Sequence, residues 1–292
     1  MTGRKRPSKS ATFGMKSASW RPYEPTIGPR KWGSAEMDDI GHLLATYRGE
    51  VDTAARSFYV WKYINDIART ERTIYDELTE NALTWNTITH SLATTVYTVL
   101  GRIFDNDKNG RSVTACGFVT KCQQNISQFT KPAFESRRLA IGGGERPAYL
   151  DEYLQDMYEP VPADFETLLT AVRKAKALYE TNYKVIRNKV IAHKDVSSTE
   201  LEHAWFANTN VDEVETFLKS LHAVGAVVSQ WYDNGLKTEL THHQLTEKDY
   251  VHKDVVGLIS KLALSDAGPS NAGSLKTGDR IDMARSELPT AL

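Results

Sequence analysis

Between Arg187 and Asp195 the chain reads RNKVIAHKD, which sets an arginine, an amide, a histidine and a carboxylate around the apolar trio Val190, Ile191 and Ala192. The stretch from 173 to 194 holds Arg173, Lys174, Lys176, Lys184, Arg187, Lys189 and Lys194 against Glu180 alone. A guanidinium is a planar, permanently charged fork that matches phosphate oxygens, and a cluster of cations raises the local concentration of anions around it. Phosphate is the ligand this surface would attract. The plainer alternative leaves Arg187 and Lys189 solvated and lets His193 and Asp195 finish a helix through contacts with its terminal carbonyls. Six residues of α-helix span roughly 9 Å of rise and leave two side chains about 120° apart, so Arg187 and His193 of one straight helix need not meet. Either the helix ends before His193, or two copies of the segment interleave across a twofold axis.

Other clusters are weaker. DNDKNG, from Asp105 to Gly110, has the acids, amides and glycine that open a calcium loop, but the twelfth position is Cys116 where a bidentate glutamate is needed. A turn using Asn109-Gly110 explains the same residues without a metal. IGGGERP lacks the lysine and hydroxyl of a phosphate loop and reads as a connector. His242, His243 and His252 are too few and too unevenly spaced for a zinc set and read as surface histidines. Cys116 and Cys122 read as reduced core residues. No metal or cofactor is expected. The signatures of serine hydrolases, P-loop enzymes and zinc proteases are all missing from the sequence.

The elements that must position these residues keep helical time. Met37, Ile40, Leu44, Tyr47, Val51, Ala54, Phe58 and Trp61 recur at spacings of three and four and predict one long helix. Ile74, Leu78, Ala82, Trp85, Ile88, Leu92, Val96, Val99 and Ile103 predict a second stretch, broken near residues 80 to 84. A shorter helix is expected from Ser112 through Cys122, and residues 129 to 162, with Pro132, Pro160 and Pro162, are expected to be largely loop. From Asp164 the pattern Phe165, Leu168, Val172, Ala175, Leu178, Asn182 and Val185 leads to Arg187. Ser197 and Glu200 form a candidate capping box, and a last long helix is predicted from near Asn210 through Trp231, stopped by Asn234-Gly235. Period-two strands are not evident. The reading is an all-α antiparallel helical bundle with long N-terminal helices, spanning 34 to 264 between two termini expected to be disordered.

Composition agrees. The 292 residues are 40% hydrophobic, ample for a core. The net charge of −1 conceals a basic arm, residues 1 to 33, and a body carrying about −8. Such an arm suits a nucleic-acid backbone, although short basic termini are common. Residues 265 to 292 form a tail without that bias. No apolar run long enough to span a membrane and no secretory leader is evident, so a cytoplasmic protein with no membrane association is expected.

RNKVIAHKD at a helix end, with LGRIFDNDK from Leu100 to Lys108 upstream, resembles the signature of the HEPN superfamily (higher eukaryotes and prokaryotes nucleotide-binding), and within it the abortive-infection, AbiU-like branch. The resemblance implies a metal-independent ribonuclease, often a toxin or phage-defence effector, whose homodimer joins two motifs in one cleft. It implies that Arg187 holds the scissile phosphate of RNA, that His193 handles protons and that Asn188 positions one of them. Lys184, Lys189 and Lys194 would attract the RNA, and Asp195 would hold the His193 ring. Arg102 and Asp105 have two readings, an ion pair capping the second helical stretch or a wall of the RNA cleft. Members controlled by a nucleotidyltransferase antitoxin carry tyrosine where this chain has Asp195, so an antitoxin or other regulatory partner would have to act differently here. A catalytically silent module that binds nucleotide, RNA or protein is the alternative. The chemistry suits the residue types: RNA brings its own 2′-hydroxyl nucleophile, and an imidazole titrates near cellular pH. A neighbouring guanidinium disfavours the imidazolium and so favours the neutral base.

Overall fold

The computed structural model describes residues 39–106, 112–192, 209–242, 245 and 247–265. The expected basic arm, the tail and the Ser197 to Glu200 cap lie outside the described residues. The described residues fall in one compact unit, all helical, with no strand among them.

Helix α1, Asp39–Thr70, is 32 residues or about 48 Å long, and it is the spine. Its apolar stripe (Ile40, Leu44, Tyr47, Val51, Phe58, Trp61) is buried. Against it pack α2 (Arg72–Glu80), α3 (Ala82–Ile103), α4 (Ala115–Gln124), α9 (Val211–Asn234) and α10 (Glu247–Ser265). The expected break between α2 and α3 falls at Asn81, whose φ of −104° and ψ of 33° leave the helical region. Tyr47 shows how α1 is locked: its ring stacks on Phe118 of α4 at 4.2 Å, and its hydroxyl donates to the Leu221 carbonyl of α9 at 3.0 Å. Helix ends follow local chemistry. Thr114 Oγ1 accepts from the Gly117 N–H (3.1 Å) at the start of α4, and Asn210 Oδ1 accepts from the Asp212 N–H (2.8 Å) at the start of α9.

Two expectations fail. Residues 129 to 162 are not largely loop: after a 3₁₀ turn, Ile126–Phe129, they carry α5 (Lys131–Ile141) and α6 (Leu150–Asp156) and end on the first residue of α7 (Pro162–Asn182). Pro132 and Pro162 start helices rather than break them, because the first turn of a helix has no use for the missing N–H, while Pro160 stays in the short link before α7. Asp164 completes the α7 start, its carboxylate accepting from the Val161 N–H (2.6 Å) and the Tyr158 hydroxyl (2.7 Å). IGGGERP is the connector between α5 and α6, as expected. The helix from Asn210 is also not the last: α10 follows, placing Val255 and Ile259 in the core and His252 against the edge of the Tyr63 ring (4.7 Å).

The α5–α6 excursion has its own small core of Phe134, Leu150 and Met157. It also closes the end of α9. A helix leaves its last carbonyls without intrahelical partners, and here each finds a donor. Arg137 donates to the Tyr232 carbonyl (2.9 Å), Arg138 to that of Asp233, the Tyr153 hydroxyl to that of Asn234, and the Tyr158 N–H to that of Gly235 (2.7 Å). Gly235 itself takes the left-handed conformation, φ 57°, that ends α9 at the expected place.

Among the described residues Glu215 is the one buried carboxylate, held on α9 by the Tyr59 hydroxyl of α1 (3.3 Å), Lys219 (2.9 Å) and Lys248 of α10 (3.5 Å). Burial alone would raise its pKa, but the two ammonium groups and the tyrosine outweigh burial and hold the carboxyl below its ordinary value. A carboxyl depressed in the folded state stabilises fully above its unfolded pKa of about 4.3 and loses that contribution as pH falls through the folded value. Denaturant titrations from pH 7 down to 3 should therefore show part of the acid loss of stability vanish in Glu215→Gln, with the variant less stable than the parent at pH 7 by about 1–2 kcal/mol. Identical pH slopes for the two proteins would contradict this assignment.

Candidate functional site

All the site residues that can be placed, save Arg102, gather where α7 gives way to the motif. After Asn182 the chain passes Tyr183, a single turn α8 (Lys184–Ile186), and a π-helical turn, Arg187–Ala192. Tyr183 pins this junction to the start of α9. Its buried ring carries a hydroxyl that donates to Glu213 Oε2 (2.8 Å) and accepts from the Asn210 N–H (3.1 Å). Opening the backbone from i→i+4 to i→i+5 bonding widens the helix, a local departure that recurs at functional sites. The quoted motif thus does sit at a departure from regular helix, and that departure begins at Arg187 itself.

Arg187 is only partly buried, and its stem lies across α3 at Gly101. A Cβ built on Gly101 would meet Arg187 Nε at 2.8 Å, Cγ at 3.2 Å and Cδ at 3.3 Å, so the arginine lies flat on the α3 backbone where only glycine leaves room. Its Nη1 donates to the Oδ1 of Asn188 at 2.8 Å, so the amide orients the guanidinium. Among the described residues no carboxylate forms an ion pair with Arg187.

A pocket of about 140 Å³ opens beside this guanidinium, lined by Gly101, Phe104, Asp105, Tyr179, Lys184 and Asn188 together with Glu180 and Arg187. Four expected residues therefore share one place, Arg187, Asn188, Lys184 and Asp105 around the pocket, while Lys189 is exposed on the same π-helical turn without lining it. Lys184 is partly engaged, its Nζ 3.4 Å from Glu180 Oε1. Asp105 accepts from the Asn106 N–H (2.8 Å) through Oδ1, and its carbonyl accepts from Lys176 (3.5 Å).

Arg102 is elsewhere. The expected pairing with Asp105 does not form, because Arg102 turns to α1 and donates from Nε (3.1 Å) and Nη2 (2.6 Å) to Glu50 Oε2. Neighbours in a helix end three apart need not meet when a longer-range carboxylate offers a better fork. His193, Lys194 and Asp195 lie outside the described residues, as do Asp107 to Gly110 of the calcium-like stretch. Among the described residues no group of histidines, cysteines or carboxylates could hold a metal ion, and no helix is long and apolar enough to cross a membrane.

Sequence reasoning missed Gly101 and Tyr179. Glycine inside an otherwise regular helix carries a cost, so Gly101, two residues before the end of α3, was a signal of close approach. Tyr179, Tyr183 and Arg187 recur every four residues, so a buried aromatic stripe leads straight to the arginine.

A family model described as AbiU2 (HEPN_AbiU2) matches residues 37–254. Neither the search of curated proteins nor that of solved structures returned a match.

The Gly101 contact separates stability from site geometry. Alanine favours a helix interior by about 1 kcal/mol over glycine, and the atoms its Cβ would strike belong to a flexible side chain. Gly101→Ala is expected to keep or slightly raise the thermal midpoint while displacing the Arg187 guanidinium, read as a shifted Nε–H resonance of Arg187. An unmoved resonance would refute the contact.

Proposed function

The chain belongs to the AbiU2 family of HEPN proteins, an abortive-infection family, and on that premise we propose that it is a metal-independent endoribonuclease acting as a toxin or phage-defence effector. The single observation that carries the reading is the seat of Arg187: a guanidinium laid on Gly101, oriented by Asn188, beside a pocket, with no carboxylate paired to it among the described residues. Such a group is ready for a phosphoryl oxygen, since its own desolvation and positioning are already met by the fold.

In the proposed reaction the RNA 2′-oxygen attacks the adjacent phosphorus and the bond from phosphorus to the 5′-oxygen breaks. The products are a 2′,3′-cyclic phosphate and a 5′-hydroxyl. His193 takes the proton from the 2′-hydroxyl and returns one to the departing 5′-oxygen, with its partner copy across a homodimer axis free to divide the two tasks. Arg187 holds the non-bridging oxygens, whose charge grows in the transition state, and Asn188 keeps the fork in plane. Asp195 orients the His193 ring. Lys184, Lys189 and Lys194 supply the field that draws in a polyanion, and Asp105 forms the opposite wall.

The test is cleavage of total RNA by purified protein in excess chelator. Cleavage that persists without metal and falls by about a hundredfold or more in His193→Ala and in Arg187→Ala supports the reading. Both variants should fold and be retained in cells to the same level as the parent, so that relief of any growth arrest reports chemistry rather than loss of protein. RNA binding without cleavage, weakened by salt and by Arg187→Ala, would support the silent binding module instead. A particle that stays monomeric at micromolar concentration would rule out a composite site.

A further inference from the structure

The pocket beside Arg187 contains a polar group that neither the motif nor the family explains. Tyr179 lies on α7, is 3% exposed, and lines the pocket, yet its hydroxyl is buried and has no hydrogen-bond partner among the described residues. Its ring is held on three sides, by Phe104 (5.0 Å), Tyr183 (6.3 Å) and Phe217 (6.5 Å), so the hydroxyl cannot swing to find a partner. The charges close enough to act on it belong to Arg187, Asp105 and Glu180, all of which line the pocket. The hydroxyl therefore lies within the field of the charged groups that line the pocket.

Leaving a buried hydroxyl unpaired costs stability, and phenylalanine would fill the same space without that cost. An orphan donor near a guanidinium that no carboxylate pairs among the described residues makes physical sense when a third body supplies the acceptor. We propose that Tyr179 is a substrate-binding residue, its hydroxyl donating to a phosphoryl oxygen of the same RNA phosphodiester that Arg187 holds. The inference rests on the reading of Arg187 as the phosphate-holding residue.

Two details define the ligand. Burial pushes the tyrosine up to about 12, with Asp105 and Glu180 adding to the rise against the opposing influence of Arg187, so at neutral pH the group carries its proton and can only donate to an anion. Asp105 and Glu180 on the same walls repel a doubly charged phosphate monoester more than a singly charged diester. An internal linkage is thus favoured over a terminal phosphate.

The experiment measures binding of a 2′-O-methyl ribo-oligonucleotide, which has the linkages of RNA but lacks the nucleophile, to the full chain, to Tyr179→Phe, to Arg187→Ala and to the double variant, with RNA cleavage assayed in parallel. Tyr179→Phe should weaken binding about tenfold or more, since a hydrogen bond to a charged group is lost. It should leave the thermal midpoint unchanged or raised, because no protein partner is lost. In the Arg187→Ala background the same change should have a much smaller effect, as expected of two groups on one phosphoryl group. Unchanged binding in Tyr179→Phe, a lowered midpoint, or no binding by the parent protein would each overturn the inference. The two readings fail separately: hydroxyl-dependent binding with no cleavage sinks the ribonuclease and keeps Tyr179, whereas cleavage indifferent to Tyr179→Phe does the reverse.

Discussion

The contact on which the rest depends is the one between the Arg187 stem and the bare backbone of Gly101. A long cationic side chain loses rotamer freedom when it is fixed, and it is fixed here by a helix that offers no Cβ, by the Asn188 amide at its tip, and by a π turn that changes its direction of departure. Each of these costs something when no ligand is present. Glycine weakens α3, the widened turn sacrifices regular bonding, and a neighbouring tyrosine keeps a hydroxyl unpaired. Local rules broken together, in one pocket, are the mark of a place selected for something other than stability.

The remaining architecture explains how such a place is tolerated. Helix α1 shares its buried stripe with α3, α9 and α10, so the α3 wall at Arg187 rests on this spine directly and the α7 wall rests on it through α9. The α7 side is tied down one turn earlier by Tyr183, whose hydroxyl joins Glu213 and Asn210 at the start of α9. The departure from regular helix therefore begins directly after a firm anchor.

What was legible in the sequence follows the range of the interactions involved. The α1, α3, α7 and α9 patterns were clear because each buries a continuous stripe of large apolar residues, and the stops at Asn81 and Gly235 used local chemistry. Pro132 and Pro162 misled because proline both ends helices and begins them, and the difference lies in what packs behind it: Phe134 and Leu150 complete a small core that no local window contains. Helix α10 did carry the spacing of Val251, Val255, Leu258 and Ile259, but its charged surroundings masked it. Within the site, Arg187 and Asn188 were legible as chemical types. The need for Gly101, the orphaned hydroxyl of Tyr179 and the turn of Arg102 toward Glu50 were not, because each is settled by a residue far away along the chain.

The closed end of α9 has a consequence for how the molecule breathes. With the carbonyls of Tyr232, Asp233, Asn234 and Gly235 all engaged by α5, α6 and Tyr158, that terminus cannot fray one residue at a time. Amide protons of the last turn of α9 and of the α5–α6 pair should exchange with solvent in concert, as one cooperative unit rather than as a graded fringe. Thermal excitation then has little outlet at that pole of the bundle.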